Sequence, residues 1–152
     1  MIEGIKQIDS AFIMFMNRYG TAILRVALGT VFLWFGLLKL LGISPVGELI
    51  QSTYSFFPEP AFIMLLGAWE VLIGLGLLLN KALRLTLLLL WLQMAGTFFS
   101  LVLTPSIFFV HGNPLLLTTF GEFVVKNVVL IASGIVIGGH LNSPRETSGI
   151  QQ

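Results

Sequence analysis

The chain has 152 residues, of which 56% are hydrophobic and 10% are charged, and its formal net charge at pH 7 is +1. Soluble domains usually carry about 25% charged residues, so the composition excludes an ordinary water-soluble protein, and the mean hydropathy of +0.96 indicates a lipid environment. The small net charge provides no basic surface for nucleic acid, and the lack of cysteine in this sequence excludes disulfides, Cys-x-x-Cys redox chemistry and thiolate metal ligands.

Residues 1–19 predict an amphipathic helix that lies on the membrane surface. Its apolar side chains recur at helical spacing: Ile2, Ile5, Ile8, Phe12, Phe15 and Tyr19. Charged and polar side chains lie between them: Glu3, Lys6, Asp9 and Ser10. One apolar and one polar face on the same helix are typical of interfacial helices.

Residues 20–140 predict a transmembrane domain with four apolar runs. Each run has about 20 residues, the length that crosses ~30 Å of hydrocarbon as a helix. The predicted spans are 21–41, 61–79, 82–103 and 117–139. The predicted fold class is therefore all-α, a transmembrane four-helix bundle preceded by the interfacial helix. The first run is too long for a signal-peptide core and lacks a small-residue cleavage site, so we expect it to be retained.

The segments between the spans carry turn residues. Ser44 and Pro45 predict the N-cap and first residue of a short surface helix over residues 46–57. Asn80 and Lys81 predict a tight turn between the second and third spans.

The distribution of basic residues predicts the orientation. They occur in the N-terminal arm, the turn after the second span and the tail at residues 141–152: Lys6, Arg18, Lys81, Arg84 and Arg145. The loops at residues 42–60 and 104–116 contain neither Lys nor Arg. Because short cytoplasmic loops are enriched in Lys and Arg, we expect both termini and the tail to lie in the cytoplasm.

Each predicted span carries small or polar residues on one helical face. At 100° per residue these faces contain Arg25, Gly29, Phe32, Gly36 and Lys39; Gly67, Glu70 and Gly74; Thr86, Gln93, Thr97, Ser100 and Thr104; and Glu122, Lys126, Ser133 and His140. Turned inward, they predict a polar, closely packed centre. The predicted polar cluster consists of Arg25, Lys39, Glu70, Gln93, Glu122 and Lys126.

Position along the spans predicts the partners within this cluster. Glu70 is expected to meet Lys126 or Arg25, and Lys39 to meet Glu122. Three interpretations stay open at this point. The pairs neutralise each other and fix helix register, they bind a quinone headgroup or relay protons, or they form a contact surface for another membrane subunit.

The two histidines do not predict a cofactor site. His111 and His140 fall on opposite predicted sides of the membrane, so they cannot ligate one haem together. We expect no metal site, and the sequence assigns no catalytic residue.

Three segments resemble DoxX-like membrane proteins, in particular the YkgB/RclC branch. Residues 24–39 resemble the first helix of that family, residues 69–76 the second and residues 122–132 the fourth, and the likeness covers roughly residues 20–140. The resemblance implies a four-helix inner-membrane protein. Members are associated with oxidative or reactive-chlorine stress, with membrane oxidoreductase complexes and, in one lineage, with a thiosulfate:quinone oxidoreductase.

The leading hypothesis is a small inner-membrane protein that works with a membrane redox or oxidative-stress system and is not an enzyme by itself. Quinone is the candidate ligand, and the expected partners are the lipid bilayer, a membrane or peripheral oxidoreductase, or a second copy of the chain. One alternative is a non-catalytic structural subunit or assembly factor, and another is a small transporter or channel acting as an oligomer. A cavity around Glu70 would favour the redox or stress-response hypothesis. A filled centre would favour the structural subunit or assembly factor, and a continuous water path would favour the transporter or channel.

Overall fold

The computed structural model describes residues 2–54, 58 and 60–141. Its helices are α1 (Ile2–Leu40), α2 (Gly47–Thr53), α3 (Ala61–Leu79), α4 (Leu83–Leu103), α5 (Pro105–Phe108), α6 (Thr119–Val125) and α7 (Val128–Gly139). In that part of the chain, α1, α3, α4 and the α6–α7 pair are long and apolar enough to cross a membrane. The all-α fold with four spans is confirmed. The end of the predicted surface helix and nearly all of the predicted tail lie outside the described residues.

Helix α1 is one unbroken helix of 39 residues. At 1.5 Å per residue it is about 58 Å long, roughly twice the thickness of the hydrocarbon layer. The expected boundary after residue 19 does not interrupt it, because a single glycine, Gly20, weakens a helix without breaking it. Phe12 and Phe15 in the N-terminal arm are exposed, and their position on the membrane surface stays a prediction.

Helices α1 and α3 form the most extensive helix pair, and glycines let their backbones approach closely. A Cβ atom on Gly36 would lie 2.7 Å from the carbonyl oxygen of Gly67, and one on Gly29 would lie 3.1 Å from the carbonyl oxygen of Gly74. We call these four residues the glycine seam. Small residues at helix interfaces are the usual means of close packing in membranes, where no hydrophobic force drives helices together.

The turn between α3 and α4 confirms the prediction at Asn80 and Lys81. Asn80 adopts a left-handed conformation with φ of 56° and its N–H bonds to the last carbonyls of α3. Asparagine tolerates this conformation better than most residues. The chain then reverses directly into α4, where Thr86 packs on Gly76.

The main hydrophobic core occupies the half of the bundle next to this turn. It consists of Leu28, Phe32, Ile73, Leu77, Leu87, Leu90, Met94 and Ile137. Ile73, Leu77 and Leu90 have no exposed surface. We call this region the filled half.

The fourth span is broken between α6 and α7, and this break corrects the predicted polar face. Its buried residues are Gly121, Val124, Ser133, Gly134 and Ile137. Of the predicted face only Ser133 is buried, whereas Glu122, Lys126 and His140 are exposed. The prediction assumed one continuous helix, but the turn at residues 126–127 changes which side of the span points inward.

Helix α2 begins two residues later than predicted. Its N-cap is Val46, whose side chain cannot accept a hydrogen bond, rather than Ser44. Ser44 instead accepts from the N–H of Gly47 through its backbone carbonyl, at 3.2 Å, so Ser44 and Pro45 belong to the turn before the helix. Leu49 of α2 packs against Phe108 in a second, smaller core.

Candidate functional site

A cavity of about 450 Å³ lies in the half of the bundle opposite the α3–α4 turn, and Phe32 and Met94 of the main core form its border with the filled half. Its walls come from α1, α3, α4 and the α6–α7 pair, and α2 with the preceding turn contributes to one end. Many of the lining side chains are aromatic: Phe32, Phe35, Tyr54, Phe62, Trp69, Phe108 and Phe123. The volume lies in the range of small-molecule sites, which are largely apolar with a few placed polar groups.

An ion pair contributes to the wall of this cavity. Lys39 Nζ lies 2.6 Å from Glu70 Oε2, and the two side chains are only 7% and 11% exposed. Lys39 belongs to the last turn of α1 and Glu70 to the middle of α3. The glycine seam makes this contact possible, since Gly67 leaves room for the stem of Lys39.

Gln93 of α4 completes the polar group. Its Nε2 donates to Glu70 Oε1 at 2.6 Å, so each carboxylate oxygen of Glu70 accepts one side-chain hydrogen bond. Gln93 Oε1 is buried and has no hydrogen-bond partner among the described residues. We call Lys39, Glu70 and Gln93 the polar triplet.

Arg25, predicted as a partner of Glu70, lies elsewhere. Its guanidinium donates to the backbone carbonyl of Leu77 and, at 3.4 Å, to that of Leu78. These are among the last carbonyls of α3, which lack helical partners and attract positive charge. Arg25 therefore secures the end of α3 in the filled half, and its predicted contact with Glu70 is wrong.

The remaining two members of the predicted polar cluster pair with each other on the surface. Lys126 Nζ lies 3.4 Å from Glu122 Oε2, and the side chains are 76% and 58% exposed. The predicted pairs Glu70–Lys126 and Lys39–Glu122 are therefore wrong. Both predictions relied on a continuous fourth helix, and the break after α6 leaves these side chains outside the cavity.

The hydroxyl groups of the predicted α4 stripe donate mainly to backbone carbonyls of the preceding turn, and the Thr104 hydroxyl also lies 3.4 Å from that of Thr53 in α2. The Thr97 hydroxyl donates to the backbone carbonyl of Gln93 at 3.1 Å, and the Thr104 hydroxyl to that of Ser100 at 3.3 Å. Such bonds to the preceding turn are common for Thr and Ser in helices. The inward position of this stripe was predicted correctly, but of its members only Gln93 joins the ion pair.

Tyr54, at the end of α2, holds that helix against the bundle. Its hydroxyl donates to the backbone carbonyl of Gly96 at 2.7 Å, and its ring lies 5.6 Å from that of Phe62 between centroids. Burial raises the pKa of the Tyr54 phenol, so the group stays a donor at neutral pH. The sequence placed Tyr54 only within the predicted surface helix over residues 46–57, because nothing in its spacing indicates a contact with α4.

Trp69 is another wall residue that the sequence did not single out. Its indole Nε1 donates to the backbone carbonyl of Leu89 at 3.0 Å, which fixes the ring between α3 and α4. Over the described ranges, no three His, Asp or Glu side chains lie close enough to hold a metal ion. The site therefore offers flat apolar walls and one polar triplet, an arrangement suited to a ring with polar substituents.

Residues 20–112 match the DoxX family model. The match includes the polar triplet and three of the four spans, and it ends before α6. No curated protein and no solved structure is significantly similar to the chain.

Proposed function

This chain belongs to the DoxX family of membrane proteins, and from that premise we propose that it binds a quinone-like ligand for a membrane redox or oxidative-stress system. The observation that carries the proposal is the cavity of about 450 Å³ whose wall contains the Lys39–Glu70 ion pair. Buried charges in a membrane are costly and usually mark a site of function.

The chemistry of the walls supports a ring-shaped ligand. Trp69, Phe35 and Phe123 provide flat apolar surfaces for a ring, and aromatic pairs gain stability beyond the area that they bury. The Lys39 ammonium has three N–H donors, of which one bonds to Glu70. A ligand oxygen can accept from another, as a quinone carbonyl would.

The alternatives find less support. A silent structural subunit or assembly factor was expected to have a filled centre, and half of this bundle contains a partly open cavity instead. A transporter needs a path through the whole bundle, but Ile73, Leu77 and Leu90 fill the other half without exposed surface. The cavity therefore favours binding over passage.

The proposal assigns electron transfer to a partner rather than to this chain alone. The sequence contains no cysteine for thiol–disulfide redox chemistry. We propose that the protein presents a quinone-like ligand to a membrane or peripheral oxidoreductase, as a member of the YkgB/RclC branch.

With both termini in the cytoplasm of a bacterium, the cavity lies in the outer half of the inner membrane. Reporter fusions within residues 43–54 test this orientation, and cytoplasmic activity there would contradict it.

Ligand binding can be measured through Trp69. In a Trp34→Phe/Trp91→Phe background this indole is the only tryptophan, and a short-chain ubiquinone should quench its fluorescence saturably in lipid nanodiscs. Mass spectrometry of lipids extracted from the natively purified protein should also detect a quinone. Absence of both signals would overturn the proposal.

A pair of matched variants tests the site itself. Lys39→Met/Glu70→Gln removes the charges of the cavity pair, and we expect binding to weaken about tenfold because one charge-assisted hydrogen bond is lost. Lys126→Met/Glu122→Gln makes the same substitutions in the exposed pair, which lies outside the cavity wall. The control should bind like the parent protein.

A further inference from the structure

We infer that Asn127 is a second ligand-binding residue of the cavity, which donates a hydrogen bond to an oxygen on the side of a bound ring opposite Lys39. The cavity therefore selects rings that carry acceptor oxygens at two opposite positions. The inference rests on the proposed function and concerns the same cavity, whose lining includes both residues. Asn127 belongs to the break between α6 and α7, where the sequence predicted a continuous helix.

The break turns Asn127 toward the cavity. Val124 and Leu130, three residues before and after it, also line the cavity, and Val124 is only 2% exposed. The flanking residues Lys126 and Val128 are exposed. Since three residues are close to one helical turn, Asn127 shares the inward side of the span with Val124 and Leu130. Asn127 itself is half-buried, so part of its surface stays accessible to a ligand.

The local structure leaves the Asn127 side chain unengaged. An asparagine that precedes a helix usually accepts a hydrogen bond from a backbone N–H of the first turn, but Asn127 makes no such bond to α7. Among the described residues its side chain has no other hydrogen-bond partner. A polar group within a membrane span is costly unless it finds a partner. The amide provides two N–H donors, and a ligand oxygen would be the missing partner.

The Asn127 amide and the Lys39–Glu70 ion pair lie on opposite walls of the cavity. Helix α3 packs against α1 and α4, and α7 packs against the same two helices, so α3 and the fourth span occupy diagonal positions in the bundle. Glu70 and Asn127 each lie about two turns after the start of their spans, and these starts are on the same side of the membrane. Because Lys39 Nζ is 2.6 Å from Glu70, the ammonium and the amide are at similar depth.

A para-quinone fits donors on opposite walls. Its two carbonyl oxygens lie at opposite ends of the ring, and each accepts hydrogen bonds. The Lys39 ammonium uses one of its three N–H groups for Glu70, so one carbonyl can accept from Lys39 and the other from Asn127. A ring with a single carbonyl satisfies only one of the two walls.

The test compares rings that differ in one carbonyl. Menadione carries carbonyls at positions 1 and 4, whereas 2-methyl-1-tetralone has a similar methylated two-ring frame with the carbonyl at position 1 alone. Both are titrated by calorimetry into the protein in lipid nanodiscs, and empty nanodiscs correct for partition into lipid. The sequence contains no cysteine with which menadione could react. We expect menadione to bind about tenfold more tightly, the usual effect of one satisfied hydrogen bond in a buried site.

Variants then assign the preference to Asn127. Asn127→Leu keeps the size of the side chain without its donors, so the menadione affinity should fall about tenfold while the tetralone affinity stays unchanged. Asn17→Leu is the matched control, because it makes the same substitution at an exposed position of α1 outside the cavity wall, and both affinities should equal those of the parent protein. Gel filtration and circular dichroism establish that each variant is folded, and Asn127→Ala provides the same test if Asn127→Leu does not fold.

The outcomes separate the two proposals. If menadione and 2-methyl-1-tetralone bind the parent protein equally, or if loss of the Asn127 amide leaves the menadione affinity unchanged, the role assigned to Asn127 is wrong while the binding function stands. If neither menadione nor a short-chain ubiquinone binds the parent protein, the proposed function itself fails.

Discussion

The two halves of the bundle differ in packing, although the same four spans form both. Next to the α3–α4 turn, Ile73, Leu77 and Leu90 leave no exposed surface and Arg25 secures the end of α3. In the opposite half the helices line a partly open cavity of about 450 Å³ and place an ion pair in its wall. Close packing in the filled half stabilises the bundle, so the other half can retain space and an unpartnered acceptor. Substitutions in each half test this division of roles.

The largest effect should follow from closing the glycine seam. A Cβ atom at Gly36 would lie 2.7 Å from backbone atoms of Gly67 and Val71, which cannot move away without separating α1 from α3. Gly36→Val should therefore cost more than about 3 kcal/mol of unfolding free energy, beyond the usual range for overpacked sites. Thermal unfolding in detergent measures the loss.

Gly20→Ala is the control for the seam. No atom outside its own helix lies within 4 Å of a Cβ built at Gly20, and alanine in a helix is favoured over glycine by about 0.5–1 kcal/mol. A stability near or above that of the parent protein is expected. If Gly36→Val were equally harmless, the close contact of α1 with α3 would be wrong.

The next effect concerns the ion pair. Glu70→Gln leaves the Lys39 ammonium buried without a counter-charge, and we expect a loss of about 3 kcal/mol, near the low end for buried pairs because pairing in membranes is worth less. Adding Lys39→Met should restore part of the stability. Restoration by Lys126→Met instead would contradict the pairing.

Glu122→Gln provides the matched carboxylate control. Its partner Lys126 is 76% exposed, and exposed pairs contribute about 0–1 kcal/mol. Unfolding of this variant should be close to that of the parent protein.

A smaller effect compares the two halves directly. Leu77→Ala removes packing from a site with no exposed surface and should cost about 2 kcal/mol, the lower end for buried leucines. Leu66→Ala changes a half-buried residue that already faces the cavity, and should cost less than about 1 kcal/mol because fewer contacts are lost. Equal losses would argue against the distinction between the halves.

The smallest effect should be local to α2. Tyr54→Phe removes one hydrogen bond to the Gly96 carbonyl, a loss of about 1 kcal/mol. Hydrogen exchange should become faster in α2, while the exchange of α3 should not change. A uniform change in both helices would mean that Tyr54 supports the whole bundle.

The sequence predicted the number of membrane-spanning helices correctly, because the length and polarity of each apolar run depend on local composition. It also predicted that Glu70, Gln93 and Lys39 point inward, since one helical period determines the face. The partners were predicted wrongly for physical reasons. The approach of α1 to α3 depends on the glycine seam, which places Lys39 beside Glu70.

The break in the fourth span could not be predicted from the apolar pattern. No proline or glycine lies at residues 126–127, so the sequence predicted one continuous helix. The period of that helix placed Glu122 and Lys126 on its inward face. The cavity also lay beyond prediction, since empty space depends on how side chains from several helices meet. Aromatic residues that form its wall are scattered along the chain from Phe32 to Phe123.

The position of the two charges along the chain has a consequence for biogenesis. Lys39 and Glu70 are 31 residues apart, so α1 emerges from the ribosome and reaches the insertion machinery before α3. Lys39 lies in the last turn of its helix, where a long lysine side chain can reach the headgroup region while it waits. Glu70 lies in the middle of its helix, where its side chain cannot reach the headgroup region. The charge that is harder to accommodate in lipid is thus synthesised second, when its partner is already present in the bilayer.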